Sequence, residues 1–182
     1  MPIERVAPEL EHRVSLNQRI EELGSGFGGD QGPAEGPVWW KEAGYLLFSD
    51  IGHNRRMKWA SREGVTLFKE PTDYANGLTR DIQGRLIACE HGTRRVTRLE
   101  PDGSITVVAG SYKGTRLNRP NDVVVKSDGS IYFTDPWTFR DAAPGEWDLD
   151  FAGVYRVSPD LGTLTLLVRD FVTPNGLAFS PD

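Results

Sequence analysis

The sequence has little of several residue types that mark particular classes of protein. It holds one cysteine, Cys89, among 182 residues, so an internal disulfide is excluded. It has no apolar run of the roughly eighteen residues that a membrane-spanning helix needs, and its N-terminus lacks the apolar core of a signal peptide. The net charge of −5 argues against nucleic acid or an anionic membrane as the main partner. These absences predict a cytoplasmic protein.

Common catalytic motifs are also missing. The sequence contains no Ser-His-Asp order, no nucleophile elbow, no phosphate-binding loop and no Cys-x-x-Cys. The glycine-rich stretch 24–29 is predicted to be a loop and not a dinucleotide fingerprint, because no strand–loop–helix pattern surrounds it.

What the sequence does contain is a repeat. Each unit holds four short runs rich in Val, Ile, Leu, Tyr and Phe. These runs are separated by turn sequences such as Pro101-Asp102-Gly103. Three units begin near Glu35, Asn76 and Asn121, and a fourth begins at Gly176. A four-strand unit that recurs every 40–50 residues or so is typical of a β-propeller blade.

The predicted fold is therefore an all-β propeller, of which this chain covers about three blades and the start of a fourth. A β-sandwich or an open solenoid explains the four-strand period less well. We expect an N-terminal segment over residues 1–31, with a short helix or a peripheral, closing outer strand between Val14 and Leu23, and a partial propeller over 32–182. A fragment of this kind would expose strand edges, so it is expected to self-associate if the protein ends at Asp182.

A residue with a side-chain oxygen precedes the first strand of every unit. These residues are Glu35, Asn76, Asn121 and Asn175. First strands line the central channel of a propeller, so rotational repetition would point all four side chains at one spot on the axis. Such oxygens suit Ca²⁺, Mg²⁺ or Mn²⁺ better than Zn²⁺ or copper. The alternative is that Asn-Gly and Asn-Asp are ordinary turns.

A second set of acidic residues, Asp50, Glu90 and Asp135, follows the second strands. We expect these three to be structural, as salt bridges or turn caps that use the nearby arginines Arg55, Arg56, Arg94 and Arg95.

First strands begin and second strands end at the same end of a blade. The loops at this end carry residues that could form the wall of a pocket for a polar ring, namely His53, His91, Arg119, Trp137 and Phe139. The alternatives are a surface histidine without a function and a Trp137 packed on its own blade. Cys89 is expected to be a small buried hydrophobe.

Four motifs together resemble the gluconolactonase/regucalcin (senescence marker protein) family, and most of all its bacterial sugar lactonases. They are Glu35-Gly-Pro-Val-Trp39, Asn76-Gly-Leu78, the run from Leu117 to Pro136, and the run from Pro174 to Asp182. The resemblance extends from about residue 20 to the end. It implies a six-bladed propeller with a divalent metal on the axis, usually Ca²⁺, with Mg²⁺, Mn²⁺ or Zn²⁺ as alternatives.

The resemblance also implies roles for particular residues. Glu35 and Asn175 match metal ligands of the family, Arg119 matches a substrate-contacting arginine, and Asn121 would face both metal and substrate as the catalytic residue. His91 and Trp137 are further candidates for binding the substrate. A third ligand, an aspartate that is often suggested as the base, would come from a later blade and is absent from these 182 residues.

The function implied by the resemblance is metal-dependent hydrolysis of a sugar lactone such as glucono-1,5-lactone to the aldonic acid. One alternative is a hydrolase of the same scaffold that acts on other lactones or on phosphotriesters. The other is a non-catalytic metal-binding propeller fragment. The expected partner is a small-molecule sugar lactone, with no nucleic acid and no membrane.

Overall fold

A computed structural model describes residues 7, 9, 12, 14–15, 17–29, 33–137 and 148–180. Within these residues the regular structure consists of short strands. In chain order they are β1 (Ala34–Trp40), β2 (Tyr45–Asp50), β3 (Arg55–Ala60), β4 (Gly64–Lys69), β5 (Ala75–Arg80), β6 (Leu86–Glu90), β7 (Arg95–Leu99), β8 (Ile105–Ala109), β9 (Ser111–Tyr112), β10 (Thr115–Arg116), β11 (Val123–Val125), β12 (Ile131–Asp135), β13 (Gly153–Val157) and β14 (Leu164–Val168).

The strands form three four-stranded antiparallel sheets, each made of consecutive strands: β1 to β4, β5 to β8, and β11 to β14. The first strands β1, β5 and β11 are neighbours in space. This is the arrangement of three adjacent propeller blades, and it confirms the partial β-propeller predicted from the sequence. Blade 1, blade 2 and blade 3 below refer to these sheets in chain order.

The core lies between the blades. Leu47 of blade 1 packs with Leu78 and Leu86 of blade 2, and a larger cluster joins blade 2 to blade 3 around Phe133 and Tyr155. All five residues of β6 are buried, as expected for a strand that is covered on both faces. Each fully buried Leu or Phe contributes about 1.5–3 kcal/mol to stability, so packing between blades accounts for much of the stability of the fold.

A short hairpin, which the sequence did not predict, joins blade 2 to blade 3. It consists of β9 and β10. The turn between them contains Lys113 and Gly114, both with positive φ, and Gly tolerates this geometry without steric cost.

The fourth unit does not form the predicted first strand. Residues 174–180 lie outside regular structure. A strand is defined by its ladder of hydrogen bonds to a neighbour, and none of the described strands pairs with this segment. Side-chain hydrogen bonds from blade 3 hold it instead.

The described part of the N-terminal segment lies against blade 1. Residues 17–29 form neither the predicted helix nor a peripheral strand. The ring of Phe27 meets that of Phe48 edge to face at 5.1 Å, and the backbone N–H of Gly28 donates to Asp50 at 2.6 Å. No helix in the described residues is long and apolar enough to span a membrane.

Candidate functional site

Bulges turn the first strands of blades 1 and 2 at the positions that the motifs mark. In β1 the pairing with β2 shifts between Glu35 and Val38, and in β5 the pairing with β6 shifts between Ala75 and Leu78. A bulge re-aims the side chains next to it and is common beside functional sites. Glu35 and Asn76 therefore occupy equivalent, bulged positions at the same end of their blades.

One groove receives all four of the oxygen-bearing residues. Its volume is about 410 Å³, and its lining includes Glu35, Asn76, Asn121 and Asn175. The structure thus brings together the residues that the repeat predicted to converge. The interpretation of these positions as ordinary, unconnected turns does not account for this convergence.

Glycines allow the blades to approach each other here. Gly36 has φ of 56°, and a Cβ at this position would clash with the carbonyl oxygen of Asn76 and lie 2.8 Å from the nitrogen of Leu78. A Cβ on Gly77 would lie 2.6 Å from the carbonyl oxygen of Asn121. The backbone of each blade therefore packs directly on the glycine of the blade before it.

Hydrogen bonds from the preceding blade fix the backbone of each asparagine. The Ser49 hydroxyl donates to the carbonyl of Asn76 at 2.7 Å, and the backbone N–H of Gly77 donates to that of Asn121 at 2.8 Å. The Thr134 hydroxyl donates to the carbonyl of Asn175 at 2.8 Å. The four residues of the groove are thus connected in series through the junctions between the blades.

The donor atoms of the groove suit a hard cation. Glu35 is half-buried, and within the described residues its carboxylate has neither an ion pair nor a hydrogen bond. The three asparagines add amide oxygens, and carboxylate and amide oxygens are ligands that Ca²⁺ accepts. Among the described residues, no group of three or more His, Cys, Asp or Glu residues could hold a metal. The groove therefore offers the carboxylates of Glu35 and Asp122 together with amides.

The acidic residues that follow the second strands serve the fold, as predicted. Asp50 pairs with Arg55 at 2.7 Å, and Glu90 pairs with Arg95 at 2.7 Å. The other two arginines of the predicted set also lie near these carboxylates: Arg94 donates to the carbonyls of residues 117 and 118 and is close enough to Asp135 to lower its pKa, and the buried Arg56 lines a cavity together with Glu90.

Asp135 uses backbone donors and not an arginine. Its carboxylate accepts the N–H of Asn118 at 2.8 Å and that of Arg119 at 2.6 Å. The side chain is fully buried, and this burial raises the pKa of Asp135 to about 7, although both N–H groups and the nearby Arg94 act in the opposite direction. Asp135 thus holds the backbone that carries Arg119.

His91 is buried and not a surface histidine. Its Nε2 lies 3.4 Å from the amide nitrogen of Asn76, so it supports the groove from behind. Burial, and to a lesser degree the positive charge of Arg119, lowers the pKa of His91 to about 3, and the ring is therefore neutral at physiological pH. His53 is half-exposed and pairs with Asp50 at 3.0 Å, away from the groove lining.

The remaining residues predicted to bind substrate do not line the groove either. Arg119 is partly buried and near enough to His91 to affect its pKa. The indole N–H of Trp137 donates to the carbonyl of Leu149 at 3.2 Å, which fits the alternative of a ring packed on its own blade. Phe139 lies outside the described residues.

The sequence reasoning missed Asp122, which lines the groove between Asn121 and Val123. Its signal was visible in the repeat, because Asp122 stands where blades 1 and 2 have Gly36 and Gly77. Asp122 is the one acidic residue among four equivalent positions, of which the other three are Gly36, Gly77 and Gly176.

Fold and groove together define a class of protein, the β-propellers with an oxygen-rich groove where the first strands begin. Within that class, the family model described as "SMP-30/Gluconolactonase/LRE-like region" matches residues 33–182. The chain belongs to this family, which confirms the resemblance seen in its motifs.

Relatives with curated names are lactonases. The chain is 34% identical to the gluconolactonase of Zymomonas mobilis over 197 aligned residues, which cover 99% of the chain and 54% of the relative. It is 29% identical to lactonase drp35 of Staphylococcus epidermidis, over 76% of the chain and 42% of the relative. The chain thus spans about half the length of the curated relatives it matches.

Solved structures agree with this assignment. A gluconolactonase from Xanthomonas campestris superimposes with a TM-score of 0.73 at 39% identity, over 81% of the chain and 51% of that structure. Regucalcin from Agrobacterium tumefaciens, named as a calcium-binding protein, superimposes with a TM-score of 0.61 at 19% identity, over 82% of the chain and 47% of that structure. The second likeness supports the fold alone.

Proposed function

We propose that the protein carrying this chain hydrolyses a sugar lactone, glucono-1,5-lactone in the first instance, with a divalent cation bound in the groove. The observation that carries the proposal is the convergence of Glu35, Asn76, Asn121 and Asn175 on one groove. The names of the Zymomonas and Xanthomonas relatives support the substrate. The proposed partner is a small molecule. The cytoplasmic location remains a prediction from the sequence.

Glu35 and Asn175 would hold the cation, which is Ca²⁺ in this proposal, with Mg²⁺, Mn²⁺ and Zn²⁺ as alternatives to be tested. When bound, such a cation supplies Lewis-acid polarisation of the lactone carbonyl. Glu35 suits this role because its carboxylate lines the groove and has no competing cationic partner among the described residues.

Asn121 and Arg119 would act on the substrate. Asn121 lines the groove, and its backbone is fixed by Gly77, so its amide is available to stabilise negative charge that develops on the carbonyl oxygen. Arg119 would orient sugar hydroxyls, since a guanidinium offers several donors in a fixed plane. His91 would contribute through Asn76, and Trp137 would form an outer wall of the substrate site.

Hydrolysis also needs a base, because water must lose a proton as it adds to the carbonyl and the ring oxygen must gain one. The carboxylates behind the groove do not suit this role. Asp50 and Glu90 are held by arginines, and Asp135 accepts two backbone N–H groups. Of the two described carboxylates that line the groove, Asp122 accepts backbone N–H groups and Glu35 accepts none, and we assign Glu35 to the cation.

The test is a substrate panel assayed with and without a chelator. We expect hydrolysis of glucono-1,5-lactone that stops on chelation and returns with Ca²⁺. Lactone hydrolysis at an unchanged rate after chelation would contradict the proposal. Faster turnover of a phosphotriester or of another lactone would assign a different hydrolase. Ca²⁺ binding without turnover of any substrate would assign a non-catalytic metal-binding propeller.

A further inference from the structure

The junction between blade 3 and the fourth unit differs from the two junctions before it. In blades 1 and 2 a glycine follows the oxygen-bearing residue, and the next blade packs on it directly. At the third junction the equivalent residue is Asp122. A side chain with a carboxylate therefore occupies a place where the other junctions have no room for a Cβ.

Both oxygens of Asp122 accept backbone hydrogen bonds. Oδ1 accepts the N–H of Val123 at 2.9 Å, within blade 3, and Oδ2 accepts the N–H of Leu177 at 2.8 Å, in the fourth unit. In the repeat, Leu177 is the equivalent of Leu78, whose nitrogen would lie 2.8 Å from a Cβ on Gly36. At the third junction the Asp122 side chain thus contacts the backbone of the next unit, whereas at the first junction the backbones of the two blades contact each other directly.

Thr134 adds a hydroxyl at the same junction, as Ser49 does at the first junction, where it donates to the carbonyl of Asn76 at 2.7 Å. The Thr134 hydroxyl accepts the N–H of Asp122 at 3.1 Å and donates to the carbonyl of Asn175 at 2.8 Å. At the junction between blades 2 and 3, the corresponding backbone N–H, from Gly77, reaches the carbonyl of Asn121 directly at 2.8 Å. One hydroxyl and one carboxylate therefore separate blade 3 from the fourth unit.

We propose that Asp122 is a positioning residue that, together with Thr134, holds the segment Asn175-Gly176-Leu177 at a fixed distance from β11. This distance sets where Asn175 lies relative to Asn121 in the lining of the groove. Both oxygens of Asp122 accept backbone N–H groups, and we assign this carboxylate to positioning and not to holding the cation. The inference rests on the proposed function, in which Asn175 holds the cation.

Hydrogen exchange at the Leu177 amide tests the hydrogen bond between Asp122 and Leu177 in the absence of any cation. In Asp122→Ala this amide loses its acceptor, so its exchange should accelerate by about 10-fold or more. The matched control is Asp128→Ala, which removes an exposed aspartate that accepts the N–H of Ser130 at 2.8 Å in a turn. The control should leave Leu177 unchanged. Unchanged exchange in Asp122→Ala would overturn the proposal.

Calorimetric titration with Ca²⁺ tests the positioning. Asp122→Ala should weaken Ca²⁺ binding by about 10-fold, and Asp122→Asn by less, because an amide oxygen still accepts one of the two N–H groups. In an Asn175→Ala background the same Asp122 substitutions should have no further effect. Equal losses in both backgrounds, or equal losses for Asn and Ala at residue 122, would overturn the positioning role and indicate a general effect of charge.

The two tests separate this inference from the proposed function. If the wild-type protein binds no Ca²⁺, the proposed function fails and the role of Asp122 in cation binding fails with it. Exchange at Leu177 would still decide whether the carboxylate clamps the fourth unit to blade 3.

Discussion

Three equivalent carboxylates of the repeat show how one position can be stabilised in different ways. All three side chains are buried, but Asp50 and Glu90 pair with partly exposed arginines, whereas the hydrogen bonds to Asp135 come from backbone N–H groups. An ion pair with a partly exposed arginine contributes little to stability, because solvent screens it. At Asp135 burial outweighs the hydrogen-bond donors and raises the pKa, whereas the pKa of Asp50 is lowered, and Asp135 is therefore the residue whose titration is expected to affect the fold.

Asp135→Asn should change the pH dependence of stability. The pKa of Asp135 is raised from its ordinary value of 3.8 to about 7, so between these pH values the folded chain keeps a proton that the unfolded chain has lost. The contribution of this residue to the free energy of unfolding is therefore fully present below about pH 4 and is lost as the pH rises to about 7. Urea denaturation should show the largest advantage of wild type over the variant at pH 4.

Asp128→Asn is the control for this prediction. Hydrogen bonds from Ser130 lower the pKa of Asp128, so any advantage of wild type there should grow with pH and not shrink. A wild-type advantage at Asp135 that also grew with pH would mean that the N–H groups of Asn118 and Arg119 outweigh burial.

The residue scale is also where sequence reasoning was weakest. The convergence of Glu35 with the asparagines follows from the repeat, because rotational symmetry places equivalent residues together. Whether His91 is exposed or buried, and whether Trp137 faces a pocket or its own blade, depends on packing between loops, which no periodicity encodes. The role of Asp122 could be recognised only from the structure of the junction, because it depends on a hydrogen bond between residues that lie 55 positions apart in the sequence.

At the scale of elements, the junctions between blades matter more than the strands. The strands pair locally, and the sequence predicted their units from apolar runs and turn residues alone. The exceptions have a common cause. Residues 174–180 do not form a first strand because none of the described strands pairs with them, and the β9–β10 hairpin is too short for an apolar run to predict it.

Gly36→Ala should be costly because it disturbs a junction. Gly36 has positive φ, and a Cβ there would meet the backbone of blade 2. Gly64 is a matched control, since its φ is 69° and a Cβ there would meet nothing within 4 Å. Gly64→Ala should cost about 1–3 kcal/mol from backbone strain alone. Gly36→Ala should cost more, because Asn76 or the whole blade must move.

Urea denaturation of the two variants separates strain from packing. Equal losses of unfolding free energy would show that the blades do not pack tightly at Gly36, and that backbone strain explains both substitutions.

At the scale of the whole molecule, the groove is made by all three blades and the fourth unit. Blade 1 supplies Glu35, blades 2 and 3 supply Asn76 and Asn121, and the fourth unit supplies Asn175. Each of the four units supplies one of these residues, so the proposed cation binding depends on the correct relative placement of the blades. The chain spans about half the length of its curated relatives, and the proposed lactonase activity therefore belongs to the protein that carries it.

The most direct test of the account is a calorimetric titration of Ca²⁺ into wild type, Glu35→Gln and Glu63→Gln. Glu63 is an exposed glutamate of blade 1 paired with Lys58, so its substitution removes the same charge away from the groove. Because cation affinity depends on the charge of the ligands, Glu35→Gln should weaken binding by about 10-fold or more while Glu63→Gln binds as wild type does. Wild-type affinity in Glu35→Gln would contradict a cation site in the groove.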